Sequence, residues 1–187
     1  EDVKSLGLIN PLSPYGFSGT KDADGTLTTA SHAGTGGGFV NKQFVENLRT
    51  KNKDLTDPTS APNVLKGLFA PSFTLSEEMK NLFVDSMFLM EIGEGFYPGS
   101  SQPAPEWPFL GPGTEGIGNT MSPKYVNWSG IRNLPVKPPV IWFRGVQDKI
   151  VSDQSYSDVG YLGQLGILPG WPGLEVYPPQ PMVSQTR

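Results

Sequence analysis

The chain has no cysteine, one histidine and no cluster of lysines or arginines. Each absence removes a class of function. Without cysteine there is no disulfide framework, no thiolate catalysis and no cysteine-based zinc site. The compartment stays open, because a cysteine-free chain can serve on either side of a membrane. A net charge of -4 without a basic run gives no electrostatic footprint for nucleic acid or an anionic membrane. A small or neutral partner fits better. No apolar run approaches the roughly 18 residues of a spanning helix and no signal-peptide pattern is present, so a soluble chain is expected. Metal and cofactor motifs are missing too. "DADG" at 22–25 starts like a calcium loop but lacks the third ligand position and the distal glutamate, so it reads as a β-turn. "GTGGG" at 34–38 neither follows a strand nor leads into Gly-Lys-Ser/Thr, so it reads as a flexible hinge.

What is abundant is turn chemistry and aromatic surface. The 23 glycines and 19 prolines in 187 residues stay below the roughly 25–30 per cent that argues for disorder. Four tryptophans, ten phenylalanines and six tyrosines are too much apolar payload to leave in water. An ordered, loop-rich chain is expected, either one domain or part of a larger one.

Two short apolar runs stand out, "VKSLGLIN" at 3–10 and "PPVIWF" at 138–143. Both are bounded by breakers, as strands buried on both faces of a parallel sheet would be. Between them, Asn41 caps a short amphipathic helix bearing Phe44, Val45 and Leu48. A longer helix starts near Thr74, with Thr74 and Glu77 at capping-box spacing. It carries Met79, Leu82, Phe83, Met87 and Met90 and is ended by Gly93 and Gly95. Residues 97–123 read as a proline and glycine loop. Residues from about 152 to 165 read as a helix, followed by a proline-rich tail. Two parallel strands make no stable sheet alone, so further strands are expected elsewhere.

The string "KPPVIWFRGVQDKIVSDQS" places Asp148 just past the second strand. A carboxylate there sits on the rim where open α/β sheets build their sites. It could orient an imidazole, or it could merely cap a turn. "SLGLINPLSPYG" resembles the strand that follows the nucleophile helix in α/β-hydrolases. "PPVIWFRGVQDKIVS" is similar to that family's acid-bearing strand, with Gly145, Asp148 and the apolar pair Ile150-Val151 at the matching positions. The resemblance implies an α/β fold: a partial α/β-hydrolase with parallel strands flanking a mainly helical cap insertion. Residues 1–14 would form a core strand, 15–133 the cap, and 134–187 the acid-bearing strand, a helix and the tail. It further implies that Asp148 is the acid of a Ser-His-Asp triad, with no cofactor. The substrate would be an ester, lactone or amide of an apolar small molecule.

The pattern also has gaps. "YGFSGT" lacks the final glycine of a nucleophile turn, and His32 lies upstream of the acid in a loop, where it reads as an ordinary polar residue. The nucleophile and histidine are therefore expected from segments beyond this chain or from a companion chain. Trp107, Phe109, Tyr97 and Trp128 could line a substrate pocket or simply anchor loops. The alternative reading is a non-catalytic ligand-binding or scaffolding module with an aromatic loop surface.

Overall fold

The computed structural model describes residues 3–187; the first two residues of the segment 1–14 lie outside the described ones. The chain mixes short strands and helices in small parallel and antiparallel sheets. In order they are β1 (Leu6–Ile9), β2 (Thr20–Lys21), β3 (Thr26–Leu27), α1 (Lys42–Arg49), α2 (Ala61–Gly67), α3 (Glu77–Met87), β4 (Ile92–Gly93), β5 (Tyr97–Pro98), β6 (Ser101–Pro103), β7 (Leu110–Pro112), β8 (Val140–Phe143), α4 (Val159–Gln164) and α5 (Met182–Thr186).

The two apolar runs do meet. β1 and β8 pair in parallel, with Leu6 opposite Val140 and Ile9 opposite Phe143. Burial on both faces, however, is not what they have. Ile9 is 80% exposed, and Ile141 and Phe143 are 57% and 54% exposed. Only the face bearing Leu8 and Trp142 is partly covered, with Met182, Val183 and Thr186 of α5 bordering a narrow gap beside Trp142. Among the described residues no third strand joins this pair.

Local chemistry explains the helices. At α1 the Asn41 side chain accepts from the N–H groups of Gln43 and Phe44, at 2.9 and 3.2 Å, as its capping role requires. α2, which the sequence pattern does not announce, begins after Ser60 with a proline in its first turn, where the missing N–H costs nothing. α3 is capped by Ser76, whose hydroxyl accepts from Met79 N–H, rather than by Thr74. It ends at Met87, short of the two glycines, because residues 88–90 tighten into turns ahead of β4. The three helices enclose Leu48, Ala61, Leu65 and Val84, with Phe44, Phe83, Met87 and Tyr97 at the margin. Met79, Leu82 and Met90 lie outside that core and are exposed.

Two loop expectations are corrected. The glycines at 34–38 are a packed crossing rather than a hinge. A Cβ on Gly38 would stand 2.9 Å from the carbonyl oxygens of Leu110 and Gly111, so glycine here serves close backbone approach. The proline-rich segment 97–123 is ordered by β5, β6, β7 and a 3-10 turn at Ile117–Met121. The helix expected from about 152 is instead a run of turns, with α4 starting only after Asp158. Ser152, Ser155 and Asp158 accept hydrogen bonds from the backbone N–H groups of Gln154, Ser157 and Tyr161, and these local bonds compete with a continuous helical ladder.

A second core lies under the tail. Trp107, Val159 and Tyr177 pack together with Phe39, Leu168 and Trp171. The Trp107 indole donates to Pro169 O at 2.9 Å, and the Tyr177 hydroxyl donates to Ala33 O at 2.6 Å. Beside them Gln180, 1% exposed, accepts from Ser18 N–H at 2.5 Å and presents its amide nitrogen to Gly16 O, Thr20 Oγ1 and Gln185 Oε1. The proline-rich tail is thereby stitched to residues 13–33.

Candidate functional site

β8 stops at Phe143, and the chain turns through Gly145 to Asp148, whose N–H donates to Gly145 O at 3.2 Å. One carboxylate oxygen, Oδ1, accepts from the N–H groups of Ile150 and Val151 at 2.8 and 2.9 Å. Asp148 thus closes its own turn. That bond pattern fixes the side chain and occupies one oxygen only. Oδ2 accepts no hydrogen bond among the described residues, and the residue is half-buried.

The turn borders a cavity of about 520 Å³. Asn10, from the end of β1, and residues 145–150 form one wall; residues 67–70, at the end of α2, form the other. The opposing wall supplies Leu68, Phe69 and Ala70, to which Val146 and Ile150 add apolar surface. Lys149 also borders the space, with its ammonium 5.7 Å from the centre of the Tyr156 ring. The cleft is therefore lined by Leu68, Phe69 and Ala70 together with one oriented carboxylate, Asp148.

Tyr97, Trp107, Phe109 and Trp128 are not among the residues that line it. Trp107 belongs to the second core and Tyr97 flanks the first. Phe109 and Trp128 are exposed, at 63% and 69%. Trp107 and Tyr97 anchor packed cores, and none of the four lines this cavity. Leu68 and Phe69 take that place. The signal available in the sequence was "GLFAP", an apolar triplet held between a glycine and a proline.

Ser18, in the string "YGFSGT", has the left-handed φ of +64° but is wholly buried, and its hydroxyl accepts from Val159 N–H. It faces no cleft from which to attack a substrate. His32 also has a left-handed φ, +58°, and its Nδ1 is buried without a partner. Burial and then the Lys124 charge hold its pKa below the ordinary value, so the ring is neutral near pH 7. It does not line the cavity beside Asp148. Asp22 does what a turn residue does, accepting from the N–H groups of Asp24 and Thr26 between β2 and β3. Among the described residues there is no cluster of three metal-ligating side chains, and no helix is long and apolar enough to cross a membrane.

Comparisons with protein-family models, curated proteins and solved structures return no match. What the site can do therefore follows from its chemistry. A carboxylate at the border of a cleft, with one oxygen held by backbone amides and the other accepting no hydrogen bond among the described residues, can accept an N–H from an imidazole and stabilise the cation that forms.

Proposed function

We propose that this chain supplies the triad acid and the cap of a capped α/β-hydrolase of the serine type. Its substrate is an ester, lactone or amide of an apolar small molecule. The observation that carries this reading is the position of Asp148: just beyond the carboxyl end of a parallel strand, with Oδ2 unoccupied, beside a cleft whose far wall is apolar. The bare face of β1 and β8 supports it further, since parallel strands are ordinarily covered on both faces. In this arrangement Asp148 orients the histidine, the histidine takes the proton of the nucleophilic serine, and the substrate's apolar part rests on Leu68 and Phe69. Nucleophile, histidine and oxyanion donors come from further segments or a companion chain.

The test is Asp148→Asn in the complete enzyme. Asparagine keeps the turn but presents the wrong partner to the imidazole, so kcat should fall by about 10³–10⁴-fold. Unchanged turnover would remove Asp148 from the mechanism. One observation favours the rival reading, a non-catalytic ligand-binding module: no serine and no histidine borders the cavity. Fluorophosphonate labelling separates the two, because a covalent adduct on the complete protein or its companion requires an activated serine.

A further inference from the structure

We infer that Asn10 is a positioning residue for Asp148, holding the acid-bearing turn at the height where its free oxygen meets the histidine. This rests on the hydrolase reading and adds to it a residue from the other end of the chain.

β1 and β8 run in register as far as Ile9 and Phe143, and the ladder closes with Asn10 N–H donating to Phe143 O at 2.9 Å. There the two chains part. β1 must leave the sheet at Pro11, while β8 must continue to the turn at Gly145. Asn10 makes the departure by adopting φ +41°, a left-handed conformation that asparagine and aspartate tolerate better than other side-chain-bearing residues. Gly145 N–H, the next donor of the neighbouring chain, bonds no backbone carbonyl among the described residues. The side chain takes over: Asn10 Oδ1 accepts from Gly145 N–H at 2.9 Å.

One residue therefore ends the ladder with its backbone and extends it by one step with its amide. The step it extends is the one that matters. Gly145 is the first residue of the turn, and its carbonyl receives Asp148 N–H. The order of constraint is Asn10 to Gly145 to Asp148, and the carboxylate is then locked by Ile150 and Val151. Asn10 and Asp148 line the same cavity, so a slackened Asn10 contact moves the acid relative to whatever occupies that space. Displacements of about 1 Å in such positioning cost up to about 100-fold in rate.

The experiment separates backbone from side chain in the complete enzyme. Asn10→Gly keeps access to the left-handed φ and deletes the acceptor. Asn10→Asp keeps both the φ and the acceptor. The glycine variant should lose about tenfold in kcat with little change in KM, and the aspartate variant should recover most of that loss. Ser76→Ala, which removes the α3 cap, serves as a control for destabilisation alone and should lower Tm without lowering kcat. Asp148→Asn is measured alongside. If it abolishes turnover while Asn10→Gly keeps wild-type kcat, or if Asn10→Asp is as impaired as Asn10→Gly, the positioning role is wrong and the hydrolase reading stands. A fully active Asp148→Asn overturns both.

Discussion

The two ends of the chain meet in two places, and the places are built on opposite principles. At the strand pair the contacts are a four-residue parallel ladder and one side-chain bond from Asn10, and the apolar side chains on one face remain in solvent. Beneath the tail, residues 13–33 meet residues 158–185 through buried amides, hydroxyls and rings, with Ser18, Tyr177, Gln180 and Met182 all at 1% exposure or less. The first region displays chemistry and little cohesion. The second displays cohesion and no accessible chemistry. Buried polar networks fix a single arrangement only when their members are satisfied, and the tail network is satisfied almost throughout. Cohesion between the two ends thus comes mainly from the tail network, while the sheet that carries the Asp148 turn contributes little.

Breaking the polar network is expected to have the largest effect on stability. Gln180→Ala leaves Ser18 N–H without its acceptor and strips partners from Thr20 and Gln185 in a buried site. Unsatisfied buried groups cost roughly 1–3 kcal/mol each, so a loss of about 3 kcal/mol in urea unfolding is expected. A loss below about 1 kcal/mol would mean that water enters the network freely.

The second way to sharpen the contrast is pH. Asp158 accepts from Tyr161 N–H at 2.7 Å, while its Oδ2 is buried without a partner. Burial pushes its carboxyl up to about 6, against the opposing pull of those backbone bonds. A carboxyl raised on folding binds its proton more tightly in the native state, so stability should fall as pH rises from about 4 to about 6 and level off above. The full span is on the order of 3 kcal/mol. His32, held low by burial, acts in the opposite direction near the top of that window. Asp22 and Asp57, held low first by their bonds to Thr26 and Thr59, also oppose it, but at lower pH. Asp158→Asn keeps the Oδ1 acceptor and removes only the ionisation. The difference in Tm between wild type and this variant should therefore grow between pH 4.5 and 7.5, with the variant gaining. A constant difference would contradict the buried carboxyl.

How much of this was legible in the sequence depended on how far apart the determining residues lie. The Asn41 cap and the strand-Gly-x-x-Asp turn at 145–148 are local, and both were readable from a few neighbouring residues. Even the parallel pairing of residues 6–9 with 140–143 could be guessed, since each run carries its own breakers. The wall opposite Asp148 could not. Leu68 and Phe69 lie about eighty residues from the acid, and nothing in their own segment says which surface they face. Gln180 was harder still. A glutamine between prolines has the signature of an exposed tail, and only the approach of Ser18, more than 160 residues away in sequence, makes it a core residue. The large aromatics stayed open between pocket lining and loop anchoring for the same reason, because composition shows that they need cover and is silent on whether a ligand or the chain provides it.

The smallest effect probes the strand pair itself. Ile9→Thr keeps a β-branched side chain, so strand propensity is little changed, and removes apolar surface from a residue that is 80% exposed. In this 187-residue chain it should alter stability by no more than about 0.5 kcal/mol, the range of ordinary surface substitutions. In the complete enzyme the hydrolase reading covers this face, and burying an isoleucine contributes about 1.5–3 kcal/mol, so the same change should destabilise by at least about 1.5 kcal/mol. Parallel urea titrations of the two proteins make the comparison. Equal small losses would mean that the face stays in solvent even in the larger assembly, and β1 with β8 would then be a terminal ribbon, leaving Asp148 with no sheet behind which a nucleophile and histidine could assemble.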